Sequence, residues 1–94
     1  MAVYMIAEIT VNDPAGFEAY RDAVPGTIAQ YGGKYLVRGG TVTSLEGEWA
    51  PRIVVLEFPD LDTAQRWYQS PEYTAIKDGR VNASTGRMAL VEGI

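Results

Sequence analysis

The run from Tyr31 to Glu57, Y-G-G-K-Y-L-V-R-G-G-T-V-T-S-L-E-G-E-W-A-P-R-I-V-V-L-E, constrains the fold more than any other stretch of the chain. Gly32-Gly33 stops whatever helix precedes it, because glycine takes the left-handed conformation of a helix terminus without steric cost. Lys34 to Leu45 then reads as a long strand interrupted by Gly39-Gly40, where a bulge or a close backbone approach is expected. Glu46 to Pro51 supplies a turn, and Arg52 to Phe58, the most β-like stretch of the sequence, returns as an antiparallel partner before Pro59 ends it.

The flanking segments complete the pattern. Val3 to Val11 is apolar and rich in β-branched residues, with Glu8 and Thr10 interspersed, and Asn12-Asp13-Pro14 closes it as a first strand. Asp13 and Pro14 are a helix start, after which Phe17, Tyr20, Val24, Ile28 and Tyr31 recur at steps of three and four. Pro25 lies inside this helix and predicts a kink or a break between Ala23 and Gly26. Asp60 or Asp62 caps a second helix with Leu61, Ala64, Trp67 and Tyr68 along one stripe. Ser70-Pro71 restarts it, carrying Tyr73, Ile76 and Val81, with Gly79 weakening its middle. Arg87 to Glu92 is the last strand.

Strand, helix, strand, strand, helix, strand is the α+β, ferredoxin-like βαββαβ arrangement: a four-stranded antiparallel sheet with both helices on one face, formed by residues 1–94 as a single domain. The other face is left bare. Pairing two such faces across a twofold axis is the simplest way to remove them from water, so a homodimer is expected.

Composition narrows the chemistry. Histidine and cysteine are both absent, which excludes the usual neutral-pH base, a thiolate nucleophile, disulfides and the ligands of most zinc, haem and iron–sulfur sites. Neither metal nor cofactor is therefore expected. A net charge of −4, with eight Lys and Arg spread along the chain, argues against nucleic acid as a partner. The N-terminal M-A-V-Y-M-I-A-E has no basic leader and is too short an apolar stretch to span a bilayer, so no membrane partner and a cytoplasmic location are expected.

The motifs Y-G-G-K-Y-L-V-R-G-G at 31–40, L-E-G at 45–47, P-R-I-V-V-L-E-F-P at 51–59, W-Y-Q-S-P-E-Y at 67–73 and V-E-G at 91–93 together resemble the family known as domain of unknown function 1330, over nearly the whole chain. The resemblance implies the dimeric α/β-barrel superfamily, whose members include cofactor-independent monooxygenases, muconolactone isomerase-like enzymes and haem-dependent chlorite-degrading enzymes. It implies a fold and a dimer but no agreed reaction. The proximal histidine of the haem branch has no counterpart here.

Among candidate site residues, Arg38 stands beside Gly39-Gly40, where a bare backbone at Gly39 would let a small anion reach the guanidinium fork. The competing role is an ion pair with Glu8 or Glu57 on a neighbouring strand. Glu57, on a strand expected to be central, is the candidate acid or base, unless Arg38 or Arg52 satisfies it. Trp67, Ser70 and Tyr73 cluster around a helix break and could wall a pocket, or serve as core and cap. Tyr20, Tyr31 and Tyr35 are open to the same two readings, and Arg80 could face the same cavity but reads better as a solvated helix-surface residue.

The function expected on these grounds is binding or transforming a small organic molecule, with a carboxylate the leading candidate, in a pocket between sheet and helices anchored by Arg38. Proton transfer or oxidation, with Glu57 or a tyrosine as proton acceptor, is the chemistry the residue set supports. The alternative is a non-catalytic ligand-binding or interaction module whose dimer is the working unit.

Overall fold

The computed structural model describes all of residues 1–94, and its first strand shows how the sheet acquires two unlike faces. Along β1 (Val3–Val11), Val3, Met5, Ala7 and Ile9 are buried, while Tyr4, Ile6, Glu8 and Thr10 point the other way. Asp13 caps α1 (Pro14–Gln30) by accepting from the Gly16 amide at 3.1 Å, and the helix buries Phe17, Tyr20, Val24 and Ile28 on the covered face. With β2 at Lys34–Arg38, β3 at Arg52–Phe58 and β4 at Ser84–Glu92, the sheet order is β2-β3-β1-β4, with every neighbouring pair antiparallel.

α1 runs through Pro25 as one helix, so of the kink or break expected from the sequence the break does not occur. Proline deprives the Arg21 carbonyl of its helical donor, and the Arg38 guanidinium supplies one instead at 3.3 Å.

The Gly33 amide closes the helix end on the Ile28 carbonyl at 2.9 Å. No side chain fits at Gly33, where a Cβ would meet the Phe58 ring at 2.6 Å.

The second expected strand is corrected more substantially. β2 spans only Lys34–Arg38, and residues 39–51 form an irregular loop, because β3 (Arg52–Phe58) begins too late to pair with Thr41-Val42-Thr43. Of the bulge or close approach expected at Gly39-Gly40, the close approach is found, against the Arg52 guanidinium, while the bulge falls at Leu36, between the pairs Tyr35↔Leu56 and Val37↔Val55. One extra residue reverses the alternation. Val37 therefore lies on the open face, and Arg38, opposite Val54, lies on the covered face.

Asp60 caps α2 (Leu61–Gln69) by accepting from the Thr63 amide at 2.7 Å. At the joint with α3 (Pro71–Ala83), the Ser70 hydroxyl donates to the Trp67 carbonyl at 2.7 Å and accepts from the Tyr73 amide at 3.1 Å, serving the end of one helix and the start of the next. β4 (Ser84–Glu92) begins at Ser84 rather than Arg87, since its register with β1 continues to Val11↔Ser84.

The core lies between the covered face and the helices, with Trp67, Tyr73 and Phe58 at its centre. The open face keeps Ile6, Val37 and Val91 in solvent. No helix is long and apolar enough to cross a membrane.

Candidate functional site

The register of the sheet lays Arg38, Val54, Ala7 and Met88 in one row across the covered face. Ala7 is the smallest member of that row, and above it a cavity of about 30 Å³ remains, roofed by Phe17, Tyr20, Val24, Ile28 and Trp67. It is mostly apolar, with Arg21, Arg38 and Arg52 as its polar lining and Met88 towards the opposite edge. A wider groove of about 320 Å³ runs between α2 and β4 and shares Met5, Trp67 and Met88 with it.

The two arginines are held by rings and backbone. Arg38 Cζ lies 4.8 Å from the centre of the Tyr35 ring, and its Nη2 donates to the Arg21 carbonyl. Arg52 Cζ lies 5.5 Å from the Phe17 ring centre, and its Nε is buried without a hydrogen-bond partner. Gly39 makes that placement possible: its φ of 71° is open to glycine, and a Cβ there would come within 2.6 Å of Arg52 Nη1. Neither guanidinium meets a carboxylate, for the ion pairs of the chain involve Arg21, Lys34, Arg66 and Arg87.

Behind them stand three phenols. Tyr20 Oη and Tyr73 Oη are 3.0 Å apart, and Arg80 Nε donates to Tyr73 Oη at 3.2 Å. Burial, foremost, pushes the Tyr20 hydroxyl far above the usual phenol range, with the neighbouring Tyr73 adding to it. Tyr35 is also raised by burial, against the opposing pull of Arg38 and Arg52. Tyr20 thus stays protonated at neutral pH and is a poor proton acceptor, which disfavours it among the tyrosines that the sequence left open for that role.

The structure brings Arg38, Gly39, Tyr20, Trp67 and Tyr73 to the covered side, but not Glu57. Glu57 lies on the open face with its carboxylate 3.1 Å from Lys34 Nζ, so the expected pairing with Arg38 or Arg52 is not formed. Glu8 likewise pairs with Arg87 rather than Arg38. Ser70 is buried with its hydroxyl committed to backbone groups, and Trp67 donates from Nε1 to Thr27 Oγ1 at 3.0 Å.

The sequence points to Arg52 only as a partner for Glu57 and favours a solvated Arg80, though each carries a signal for the site. Arg52 stands two residues before Val54, hence on the same strand face, and Arg80 stands two helical turns after Tyr73, hence on the same helix face. Arg80 is half-buried against Tyr73 rather than solvated. No cluster of three or more acidic side chains is positioned to hold a metal ion.

With this geometry in view, the sequence matches the family described as Domain of unknown function (DUF1330) over residues 2–94. The chain belongs to this family. No curated protein matches the DUF1330 chain.

Among solved structures it is similar to a protein of unknown function from Rhodopseudomonas palustris, with 16% identity and a TM-score of 0.79 over 99% of this chain and 82% of that one. It is similar also to SnoaB, a cofactor-independent oxygenase from Streptomyces nogalater, with 19% identity and a TM-score of 0.65 over 99% and 93% of the two chains. A dimeric protein of unknown function and ferredoxin-like fold from Bacteroides fragilis matches with 15% identity and a TM-score of 0.61 over 98% and 96%. At such identities the likeness is one of fold.

Proposed function

We propose that this DUF1330 protein binds a small organic acid on the covered face of its sheet, with the carboxylate at Arg38 and Arg52 and the apolar body directed past Trp67 towards Met88. One observation carries this reading: of the three arginines that line an apolar cavity, Arg21 pairs with Glu18 and Asp22, while Arg38 and Arg52 have no carboxylate to neutralise either of them. A planar guanidinium presents paired N–H groups that match a carboxylate edge. The cavity, at about 30 Å³, holds little more than water, so a ligand needs additional room. Met88 lines both this cavity and the larger groove, as Met5 and Trp67 do, and is a flexible side chain whose movement would help to join the two spaces.

The cavity lining contains no carboxylate or imidazole, so a general base from this chain is lacking there. Any transformation would rest on the ligand's own reactivity, with Tyr20 donating a hydrogen bond. A cofactor-independent oxygenase of the same fold is compatible with such chemistry.

We also propose that the working unit is a homodimer joined through the open sheet face, where Ile6, Val37 and Val91 are exposed. The dimeric protein of the same fold from Bacteroides fragilis supports it. The same exposed face favours the second reading, an interaction module whose dimer is the functional part.

A thermal-shift series with benzoate and short aliphatic carboxylates tests the first reading. A ligand at about 100 times its dissociation constant adds about 2.7 kcal/mol, and about 1 kcal/mol moves the midpoint of a domain this size by roughly 4–8 °C. The expected shift is lost in Arg38→Ala and in Arg52→Ala. An intact dimer that shifts with no member of the series would favour the interaction module.

A further inference from the structure

Pro25 lies within α1 without ending it, and what stabilises it there bears on the cleft. Its ring nitrogen has no hydrogen, so the carbonyl of Arg21, one turn earlier, receives no bond from position 25, and the ring pushes that carbonyl away from the helix axis. The donor found at this carbonyl is Arg38 Nη2, 3.3 Å away, on a side chain from β2. An ordinary residue at position 25 would have filled the acceptor from within the helix.

We infer that Pro25 is a positioning residue for the cleft: by leaving the Arg21 carbonyl unpaired, it creates the acceptor that fixes the Arg38 guanidinium at the polar end of the cavity. Two contacts then define the orientation of the guanidinium. The Tyr35 ring lies under its face, 4.8 Å from Cζ, and the Arg21 carbonyl takes one N–H on its edge. A guanidinium has five N–H groups, so an anion can be held by those that remain. Arg38 is exposed, and with the ring contact alone its long side chain would sample many rotamers. The Leu36 bulge brings the side chain to the covered face, and the proline then selects where the guanidinium rests.

The functional part of this inference rests on the proposed anion site, whereas the link between Pro25 and Arg38 does not. A double-mutant cycle separates them. Melting temperatures of the full-length protein, Pro25→Ala, Arg38→Met and the double variant are compared at one protein concentration. Arg38→Met is expected to lower the midpoint by about 2–4 °C when residue 25 is proline, and by much less when it is alanine. Equal losses in both backgrounds would overturn the inference.

Benzoate titration supplies the second readout. Pro25→Ala is expected to raise the dissociation constant roughly three- to tenfold while Arg38→Met loses binding. An unchanged constant in Pro25→Ala would refute the positioning role and leave the anion site standing. If the wild-type chain binds no benzoate but the cycle shows coupling, the anion site fails and the Pro25–Arg38 link holds.

Discussion

On the open face of the sheet, Lys34 Nζ lies 3.1 Å from Glu57 and Arg87 Nη2 lies 2.6 Å from Glu8, whereas on the covered face Arg38 and Arg52 have aromatic rings and backbone as neighbours and no carboxylate. The two faces therefore suit different occupants. Paired charges set among Ile6, Val55 and Val91 can be covered by a like surface without leaving an isolated ion. Unpaired guanidiniums beside an apolar cavity remain electrostatically incomplete until an anion arrives. Both faces come from the same strands, so one residue of register separates an assembly surface from a ligand surface.

The contrast is broken most severely by placing a lone charge on the open face. Ile6 faces Val55 and Ala89 across its two neighbouring strands, so Ile6→Glu puts an unpaired carboxylate in the middle of the proposed interface. An uncompensated buried charge costs about 3–5 kcal/mol, and sedimentation is expected to find a folded monomer. A dimer that survives this change would place the contact elsewhere.

On the covered face a comparable loss should appear as unfolding. Trp67 is 1% exposed and packs on Phe58 and Tyr73 with ring centres 5.4 and 4.3 Å away. Trp67→Ala is expected to cost about 3–5 kcal/mol in a denaturant titration. A loss below about 1 kcal/mol would mean that the α2–α3 joint collapses freely around the void.

The features legible in the sequence were those decided within a few residues. Asp13 and Pro14 start α1, Ser70 and Pro71 part α2 from α3, and the glycines after Tyr31 stop a helix, because caps and left-handed turns act locally. The features that were not legible depended on distant partners. Pro25 is tolerated because a strand arginine completes its turn, and β4 starts early because β1 is there to pair with it. β2 ends at Arg38 because Thr41-Val42-Thr43 find no opposing strand.

The candidate site followed the same rule. The aromatics could be read from helical spacing, but the face of Arg38 hung on a bulge at Leu36 that nothing in the local sequence marks. The expected role of Glu57 rested on its central strand, but its register places it opposite Lys34 on the open face, away from Arg38.

Tyr20 sharpens the contrast from the alkaline side. Its folded pKa is raised above the ordinary 10.0, chiefly by burial, so the unfolded phenol ionises first. Its contribution is complete below about pH 10 and is lost as pH rises further, by about 1.4 kcal/mol per unit for one phenol. Denaturation midpoints taken between about pH 9 and 11 should fall steeply for the wild type and less steeply for Tyr20→Phe. Parallel profiles would show that the phenol is not the group whose ionisation opens the covered side.

The smallest expected effect belongs to the open face and acid pH. Glu8 is held below its ordinary value of 4.5 first by the hydrogen bond from Arg87 and then by the Ala50 amide. The unfolded carboxylate therefore takes up its proton at a higher pH than the folded one. The pair contributes fully above the ordinary carboxylate range and loses its contribution as pH falls through the depressed folded value. Arg87 is 84% exposed in the single chain, so salt should screen the pair and keep its effect modest. In the dimer proposed above, the partner surface covers the pair and salt reaches it less. Comparing the acid limb of the wild type with that of Glu8→Gln at low and high ionic strength, above and below the dimer's dissociation concentration, separates these cases. A difference that salt removes only from the monomer would place Glu8 and Arg87 within the interface, while one removed equally from both would leave them outside it.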